Sequence, residues 1–156
     1  MNIKQKSVSP LLMWLIVIAG LFLAFQLIPA RFVFPRNLFT SFLIFPSVVY
    51  WLYFLTGALK VHRQAPLSAD KINKLVTDGV YAQVRHPIYS ADIILGWAIF
   101  FFYPDVRLMI GAHWLMFVLL FWIHREEKAL IEKFGSEYLE YMKRVPKMFP
   151  KKTISK

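Results

Sequence analysis

Four long apolar runs constrain this chain more than any other feature of its sequence. They occupy residues 11–28, 38–59, 88–103 and 108–123. An α-helix rises about 1.5 Å per residue and a bilayer core is about 30 Å thick, so the first two runs are long enough to cross it. The last two are shorter, and the four residues between them predict a tight antiparallel hairpin. The sequence therefore predicts an all-α membrane protein with about four transmembrane helices in a single domain over residues 1–156.

Composition excludes several other classes of protein. Of the 156 residues, 58% are hydrophobic and only 18% are charged, whereas about a quarter of a soluble domain is charged. Disorder and a large soluble catalytic fold are therefore excluded. The chain has no cysteine, which excludes a disulfide, a thiolate metal site and a cysteine nucleophile.

The distribution of positive charge predicts the orientation in the membrane. With four spans, both termini and the 60–87 loop share one side of the bilayer, and that side holds most of the 19 Lys and Arg residues. The other side holds Arg31, Arg36 and Arg107. Cytoplasmic loops concentrate such residues, so both termini are expected in the cytoplasm, of either a bacterial inner membrane or the endoplasmic reticulum. The net charge of +10 is therefore explained by positive segments that lie near anionic lipid headgroups. No nucleic-acid-binding module is visible in the sequence.

Three local signals refine this picture. The first run is longer than a signal-peptide core and is not followed by a small-x-small cleavage site, so we expect a retained helix. Pro46 falls inside the second run and predicts a kink, because proline removes a backbone donor. Apolar residues recur at three- and four-residue steps over 125–145, which predicts a C-terminal amphipathic helix.

Two polar clusters lie at the cytoplasmic ends of the predicted hairpin. The first covers residues 78–89 and leads into the third run, and the second is Arg125, Glu126 and Glu127 after the fourth run. Because an antiparallel hairpin returns the chain to the side from which it started, the two clusters are expected to meet. Pro87 is well placed to begin the third helix, since proline is favoured in the first helical turn.

The two clusters together offer carboxylates, a guanidinium, an imidazole and phenols beside an apolar wall. Such groups suit a polar cofactor that carries amine, carboxylate and hydroxyl groups, held next to a lipid-like acceptor. The alternative is that these charges only anchor the helix ends at the interface. The four histidines lack a metal-ligand spacing, so no metal is predicted.

The motifs in these clusters resemble those of a known family. The motifs are Gly79-Val80-Tyr81, Arg85-His86-Pro87-Ile88-Tyr89, Glu126-Glu127, Phe134-Gly135 and Arg144-Val145-Pro146. Together they resemble the isoprenylcysteine carboxyl methyltransferase family, the integral-membrane group that also includes phospholipid methyltransferases. The resemblance covers about residues 75–150, roughly half of the chain.

The resemblance implies S-adenosylmethionine as methyl donor, bound at the cytoplasmic membrane face, and a lipid or small hydrophobic acceptor. The cofactor-binding positions it implies are Leu75, Val76, Tyr81, His86, Pro87, Ile88, Tyr89 and Glu126. Catalytic roles are predicted for Arg125 and Glu127.

Acceptor-binding roles are predicted for Trp122 and Asp92. Trp122 stands where the eukaryotic isoprenylcysteine enzymes have an arginine for the substrate carboxylate, and Arg125 is the nearest arginine. Asp92 lies about one turn into the third run, where an ionisable side chain is costly unless it has a function or a partner.

Two other functions stay open from the sequence. Certain membrane sterol reductases share a similar Arg-His-Pro-x-Tyr motif and bind a nicotinamide cofactor, and Asp92 stands where they often have an acid. Ile88 replaces their usual asparagine, and 156 residues leave out most of their helices. The third possibility is a non-catalytic helical membrane scaffold.

Overall fold

The computed structural model describes residues 9–61 and 74–150, and these are predominantly helical. A short 3₁₀ helix, Gly79–Ala82, precedes the second half of the fold. In chain order the α-helices are α1 (Pro10–Leu27), α2 (Leu38–Phe42), α3 (Ile44–Val61), α4 (Pro87–Phe102), α5 (Val106–Phe134) and α6 (Ser136–Arg144).

Within residues 9–61 and 74–150, three helical segments are long and apolar enough to cross a membrane. They are α1, the segment Leu38–Val61 that comprises α2 and α3, and α5. The helix α4 is apolar but has 16 residues. Many large apolar side chains on these helices are exposed, Phe22, Phe39 and Phe117 among them, and a surface of this kind is compatible with lipid rather than water. The all-α membrane fold is thus confirmed, with three spanning segments by length and a fourth, at α4, that stays a prediction.

The second apolar run is interrupted at Leu43, between α2 and α3. Pro46 has no N–H to donate to the carbonyl of Phe42, one turn earlier, so the regular helical pattern fails at this point. The regular pattern resumes at Ser47, whose backbone N–H and hydroxyl both donate to the carbonyl of Leu43. The break in the helix therefore lies about one turn before the proline.

The predicted C-terminal helix over 125–145 is divided in the structure. Its first ten residues continue α5, which ends at Phe134, and α6 begins at Ser136. Gly135 separates them with φ 55°, a positive value that glycine adopts without steric cost. The apolar periodicity of the sequence continues through the glycine and concealed this break.

The helices pack in the lateral order α3, α4, α5 and α1. Helices α4 and α5 contact each other where Gly96 faces Leu115 and where the rings of Trp97 and His113 lie 4.7 Å apart. Along the described helices, α1 and α3 flank the bundle without a packed interface of comparable extent. This gap between α1 and α3 lies beside the cavity described below.

The loops at one end of the bundle are tied together by backbone hydrogen bonds. Val33 N–H donates to the carbonyl of Pro104 at 2.8 Å, and Val106 N–H donates to the carbonyl of Arg31 at 2.8 Å. Asp105 is buried and caps α5 through Oδ1, which accepts from the backbone N–H of Arg107 at 2.8 Å. The hydrogen bonds from the Arg107 side chain lower the pKa of Asp105, so the capping carboxylate stays ionised at neutral pH.

The interface between α1 and α5 depends on a close approach at Gly20. A Cβ atom at this position would overlap the indole ring of Trp114. That ring is fixed, because its Nε1–H donates to the carbonyl of Ile16 at 3.0 Å. Gly20 therefore allows α1 and the indole to pack closely.

We predict that Gly20→Ala lowers the stability of the protein by about 1–3 kcal/mol, the usual cost of overpacking. The measurement is the midpoint of unfolding in detergent, followed by circular dichroism. The matched control is Gly111→Ala at the same interface, where the added Cβ meets only the flexible tip of Leu21. Equal midpoints for the two variants would contradict this account of the interface.

Candidate active site at the membrane interface

A buried carboxylate, Glu127, connects the two polar clusters. Its Oε1 accepts hydrogen bonds from Nη2 of Arg85 at 2.8 Å and from Nε at 3.1 Å. The same oxygen lies 3.3 Å from Nε2 of His86, and Oε2 is 2.8 Å from Nζ of Lys147. The residue is only 5% exposed, so these contacts compensate the cost of burying its charge. The expected meeting of the two clusters is thus present in the structure.

Backbone groups at the end of α6 and just after it hold the first polar cluster, residues 78–89, in place. The N–H groups of Arg85 and His86 donate to the carbonyls of Pro146 and Lys147 at 2.9 and 3.1 Å. The guanidinium of Arg85 also donates to the carbonyls of Met142 and Val145 at 2.9 and 2.8 Å. These bonds satisfy donors and acceptors that would otherwise be buried without partners. They also fix the backbone at His86 and thus the direction of its side chain.

His86 is positioned by its neighbours on both sides. It is the N-cap of α4, with Pro87 in the first turn, and its side chain is 4% exposed. Its ring lies nearly parallel to the ring of Tyr89, one turn along α4, at 5.9 Å between centroids. Nδ1 is 4.0 Å from Oε2 of Glu126. The imidazole therefore lies between two carboxyl groups, with Nε2 within hydrogen-bond distance of Glu127 and Nδ1 facing Glu126 beyond that distance.

Tyr81 enters the site from the 3₁₀ helix. The turn depends on Gly79, whose φ of 59° favours glycine. The carbonyl of Tyr81 accepts a hydrogen bond from the hydroxyl of Tyr141 at 2.6 Å, which ties the turn to α6. Burial, and then the charge of Glu126, raise the pKa of the Tyr81 phenol well above its ordinary value. Tyr81 is thus a neutral hydroxyl over the whole physiological range.

A cavity of about 480 Å³ lies between these groups and the apolar helices. This volume is within the usual range for sites that bind small molecules and cofactors. Its more polar side is formed by Tyr81, His86, Tyr89 and Glu126, with Asp92 one turn beyond Tyr89 along α4. The remaining lining residues are Pro10, Leu11, Met13 and Trp14 of α1, Trp51, Leu55 and Leu59 of α3, and Pro87 and Ile88 of α4.

Six of the eight positions predicted to bind a cofactor line this cavity, and so does Asp92. The six are Tyr81, His86, Pro87, Ile88, Tyr89 and Glu126. The two others, Leu75 and Val76, are not among the lining residues, and Leu75 packs instead against the buried cluster that contains Leu130 and Tyr138.

The predicted catalytic pair and Trp122 lie outside the cavity lining. Arg125 is exposed on α5. Glu127 has both carboxylate oxygens in contact with cationic or imidazole groups. Trp122 is 6% exposed and packs with Met13 and Val17 of α1. These positions favour structural roles for Glu127 and Trp122.

The contribution of α1 and α3 to the cavity was not predicted from the sequence. Seven of the lining residues belong to these two helices, and every one of them is also an ordinary residue for a lipid-facing helix. One signal was present: Asp92 required a polar partner within the membrane, and Trp51 supplies it by donating Nε1–H to Oδ1 at 2.8 Å. Within residues 9–61 and 74–150, no group of three or more His, Cys, Asp or Glu side chains is arranged to hold a metal ion.

The fold and cavity define an integral membrane protein with a cofactor-sized site at one end of its helices. The phospholipid methyltransferase family matches residues 38–137, which is more than half of the chain. The protein therefore belongs to this family, and the resemblance noted from its motifs is confirmed.

Individual relatives carry the name protein-S-isoprenylcysteine O-methyltransferase. The chain is 39% identical to that of Schizosaccharomyces pombe over 93 residues, which are 53% of this chain and 36% of the relative. It is 43% identical to the human protein over 84 residues, 49% and 27% of the two chains. With form B of Arabidopsis thaliana it shares 34% identity over 101 residues, 61% and 46% of the two chains. The matched region thus spans less than half the length of these relatives.

We predict that Arg85→Lys destabilises the site and the fold by about 1–3 kcal/mol. A lysine cannot reproduce the fork of donors that bonds Glu127 and two carbonyls together, so buried acceptors lose their partners. The measurement is the unfolding midpoint in detergent. Arg144→Lys, on the exposed surface of α6, is the control and is expected to leave the midpoint unchanged. A similar midpoint for both variants would show that the guanidinium hydrogen bonds of Arg85 contribute nothing to stability.

Proposed function

We propose that the protein is an S-adenosylmethionine-dependent methyltransferase that acts on a lipidic or small hydrophobic acceptor at the membrane. Membership of the phospholipid methyltransferase family and the names of the relatives support the reaction. The single observation that carries the proposal in this chain is the cavity, where two family motifs from distant parts of the sequence line one space beside apolar helices.

The polar side of the cavity fits the groups that such a cofactor carries. Oε2 of Glu126 is buried and has no hydrogen-bond partner among the described residues, so an incoming ammonium or hydroxyl would satisfy it. The flat rings of His86 and Tyr89 offer a surface for an aromatic base, and Tyr81 adds a neutral hydroxyl. When bound, S-adenosylmethionine supplies a methyl group on a sulfonium, which is already activated for transfer.

The protein then has two tasks, alignment and the exclusion of water. Holding two reactants in line contributes roughly 7–11 kcal/mol in favourable cases. The contacts of Glu127 with Arg85, His86 and Lys147 hold the first cluster against α5, which keeps the cavity lining in place. We therefore propose that Glu127 is a positioning residue, in place of the catalytic role that its sequence position suggested, and we assign no catalytic role to Arg125.

The acceptor is proposed to enter from the bilayer through the gap between α1 and α3. The mouth is lined by Leu11 and Trp14 on one side and by Leu55 and Leu59 on the other. Leu11 and Leu59 are themselves exposed. A lipid that moves between these helices keeps its apolar chain away from water, so it avoids the free-energy cost of leaving the membrane.

We place the cavity at the cytoplasmic face. It is formed where α1 begins, α3 ends and α4 begins, and these helix ends adjoin the segments that carry most of the positive charge in the sequence. Positive charge marks the cytoplasmic side of a membrane protein. The orientation with both termini in the cytoplasm follows from the same assignment.

We predict that the purified protein binds S-adenosylhomocysteine and does not bind NADPH. Both affinities are measured by isothermal titration in detergent micelles on one preparation. Binding of NADPH alone would favour the sterol-reductase alternative, and binding of neither would favour a scaffold. Either of these results would contradict the proposed reaction.

We predict that Glu126→Gln weakens S-adenosylhomocysteine binding roughly tenfold or more, since hydrogen bonds to a buried charge are among the stronger polar contacts. The control is Glu140→Gln, which makes the same change on the exposed face of α6 and is expected to leave the affinity unchanged. Circular dichroism verifies that both variants keep their helices. An unaltered affinity for Glu126→Gln would remove this residue from the binding site.

A further inference from the structure

Asp92 is a carboxylate within α4 that the cofactor-binding groups do not explain. It lies six residues after His86, so it is about 9 Å further along the helix axis. Its Oδ1 accepts a hydrogen bond from Nε1 of Trp51 at 2.8 Å. Oδ2 is buried and has no hydrogen-bond partner among the described residues. One half of this carboxylate is therefore held by α3, and the other half lacks a partner beside the cavity that Asp92 lines.

The surroundings of Asp92 are those of an acceptor site. The cavity there is lined by Trp51 and Leu55 of α3 and by Met13 and Trp14 of α1, the two helices that flank the membrane-facing gap. An unpaired carboxylate oxygen beside such a wall costs free energy, because neither water nor a donor solvates it. A ligand that supplies a donor at this position removes the cost, so the site favours ligands with an N–H or O–H group.

The charged groups of the cavity lining disfavour a ligand with an anionic headgroup. Among the described lining residues, Asp92 and Glu126 carry carboxyl groups, and none is a lysine or arginine. Of the cationic side chains described nearby, Arg85 and Lys147 both bind Glu127. A lipid carboxylate placed beside Asp92 would bring two carboxyl groups together in a medium of low dielectric constant, where both cannot be ionised without strong repulsion.

We infer that Asp92, held by Trp51, is the specificity-determining residue for the acceptor, and that it selects a lipid with an amine headgroup over a lipid with a carboxylate. This inference rests on the proposed function, and it narrows the acceptor class. An ammonium headgroup donates to Oδ2 while its alkyl chain lies against α1 and α3. The same carboxylate can take up the proton that an ammonium must release before its nitrogen, with its lone pair free, can accept a methyl group.

The test compares hexadecylamine with hexadecanoic acid, which have equal chain lengths and opposite charges. The full chain is placed in nanodiscs of neutral lipid, and binding is followed by quenching of tryptophan fluorescence with brominated forms of both probes, because Trp14 and Trp51 line the cavity. Each affinity is corrected for partition of the probe into nanodiscs without protein. The variant is Asp92→Asn, which keeps an oxygen for Trp51 and removes the charge. The control, Asp78→Asn, makes the same change at an exposed residue outside the cavity lining.

The wild type is expected to bind the amine more tightly than the acid, by roughly tenfold or more. Asp92→Asn should lose most of this preference, and Asp78→Asn should keep it. A preference that survives in Asp92→Asn, or a wild type that prefers the acid, would overturn the inference. If Asp92→Asn does not fold, Trp51→Phe, which removes the donor to Oδ1, replaces it and is expected to lower the preference; an unchanged preference in that variant would overturn the inference.

Binding of S-adenosylhomocysteine is measured on the same samples to separate the two claims. If the cofactor analogue binds and the amine preference is absent, the role of Asp92 is wrong and the proposed reaction stands. If the preference is present and depends on Asp92 but the analogue does not bind, the recognition of amines stands and the proposed reaction is wrong.

Discussion

The architecture of the site depends on one buried ionic cluster centred on Glu127. A carboxylate that is 5% exposed is tolerable only when cations and donors surround it, and here these come from two separate parts of the chain. Arg85 and His86 precede α4, and Lys147 follows α6, while Glu127 itself lies on α5. Removing Arg85 takes two hydrogen bonds from the buried carboxylate, which is a strong penalty. The cluster therefore forces the start of α4, the end of α5 and the tail into one arrangement, and the cavity lies directly beside it.

The cationic groups of the site lie in the Glu127 cluster, and most of its apolar surface lies in the cavity. Arg85 and Lys147 are directed at Glu127, and the described lining has two carboxyl groups without an arginine or lysine among its residues. Most of the apolar lining comes from α1 and α3, with Pro87 and Ile88 from α4. A small membrane protein can in this way place a polar ligand and an apolar one in contact without a separate soluble domain.

Most of the fold, and the centre of the site, could be predicted from the sequence because they depend on local physics. Apolar runs give the helices, and antiparallel packing of the last two runs brings residues 78–89 to Glu126 and Glu127. Two helix boundaries could not be predicted. The helix breaks at Leu43 because Pro46 lacks a hydrogen-bond donor. The helix also breaks at Gly135, although the apolar periodicity of the sequence continues through this residue. The roles of Trp14 and Trp51 were also inaccessible, because the pairing of lipid-facing helices leaves no trace in single-helix patterns. The sequence marks Glu127 as a charged residue near a motif, and only the coordinates show that its oxygens are already occupied.

The hydrogen-bonded tie between residues 31–33 and 104–106 has a mechanical consequence. It joins the end of α1 that is remote from the cavity to the turn that leads into α5, and the indole of Trp114 on α5 bonds to the carbonyl of Ile16 nearer the middle of α1. The wall that α1 gives to the cavity is therefore held by α5, the helix that also carries Glu126. Because both walls depend on one helix, the protein itself sets the width of the site.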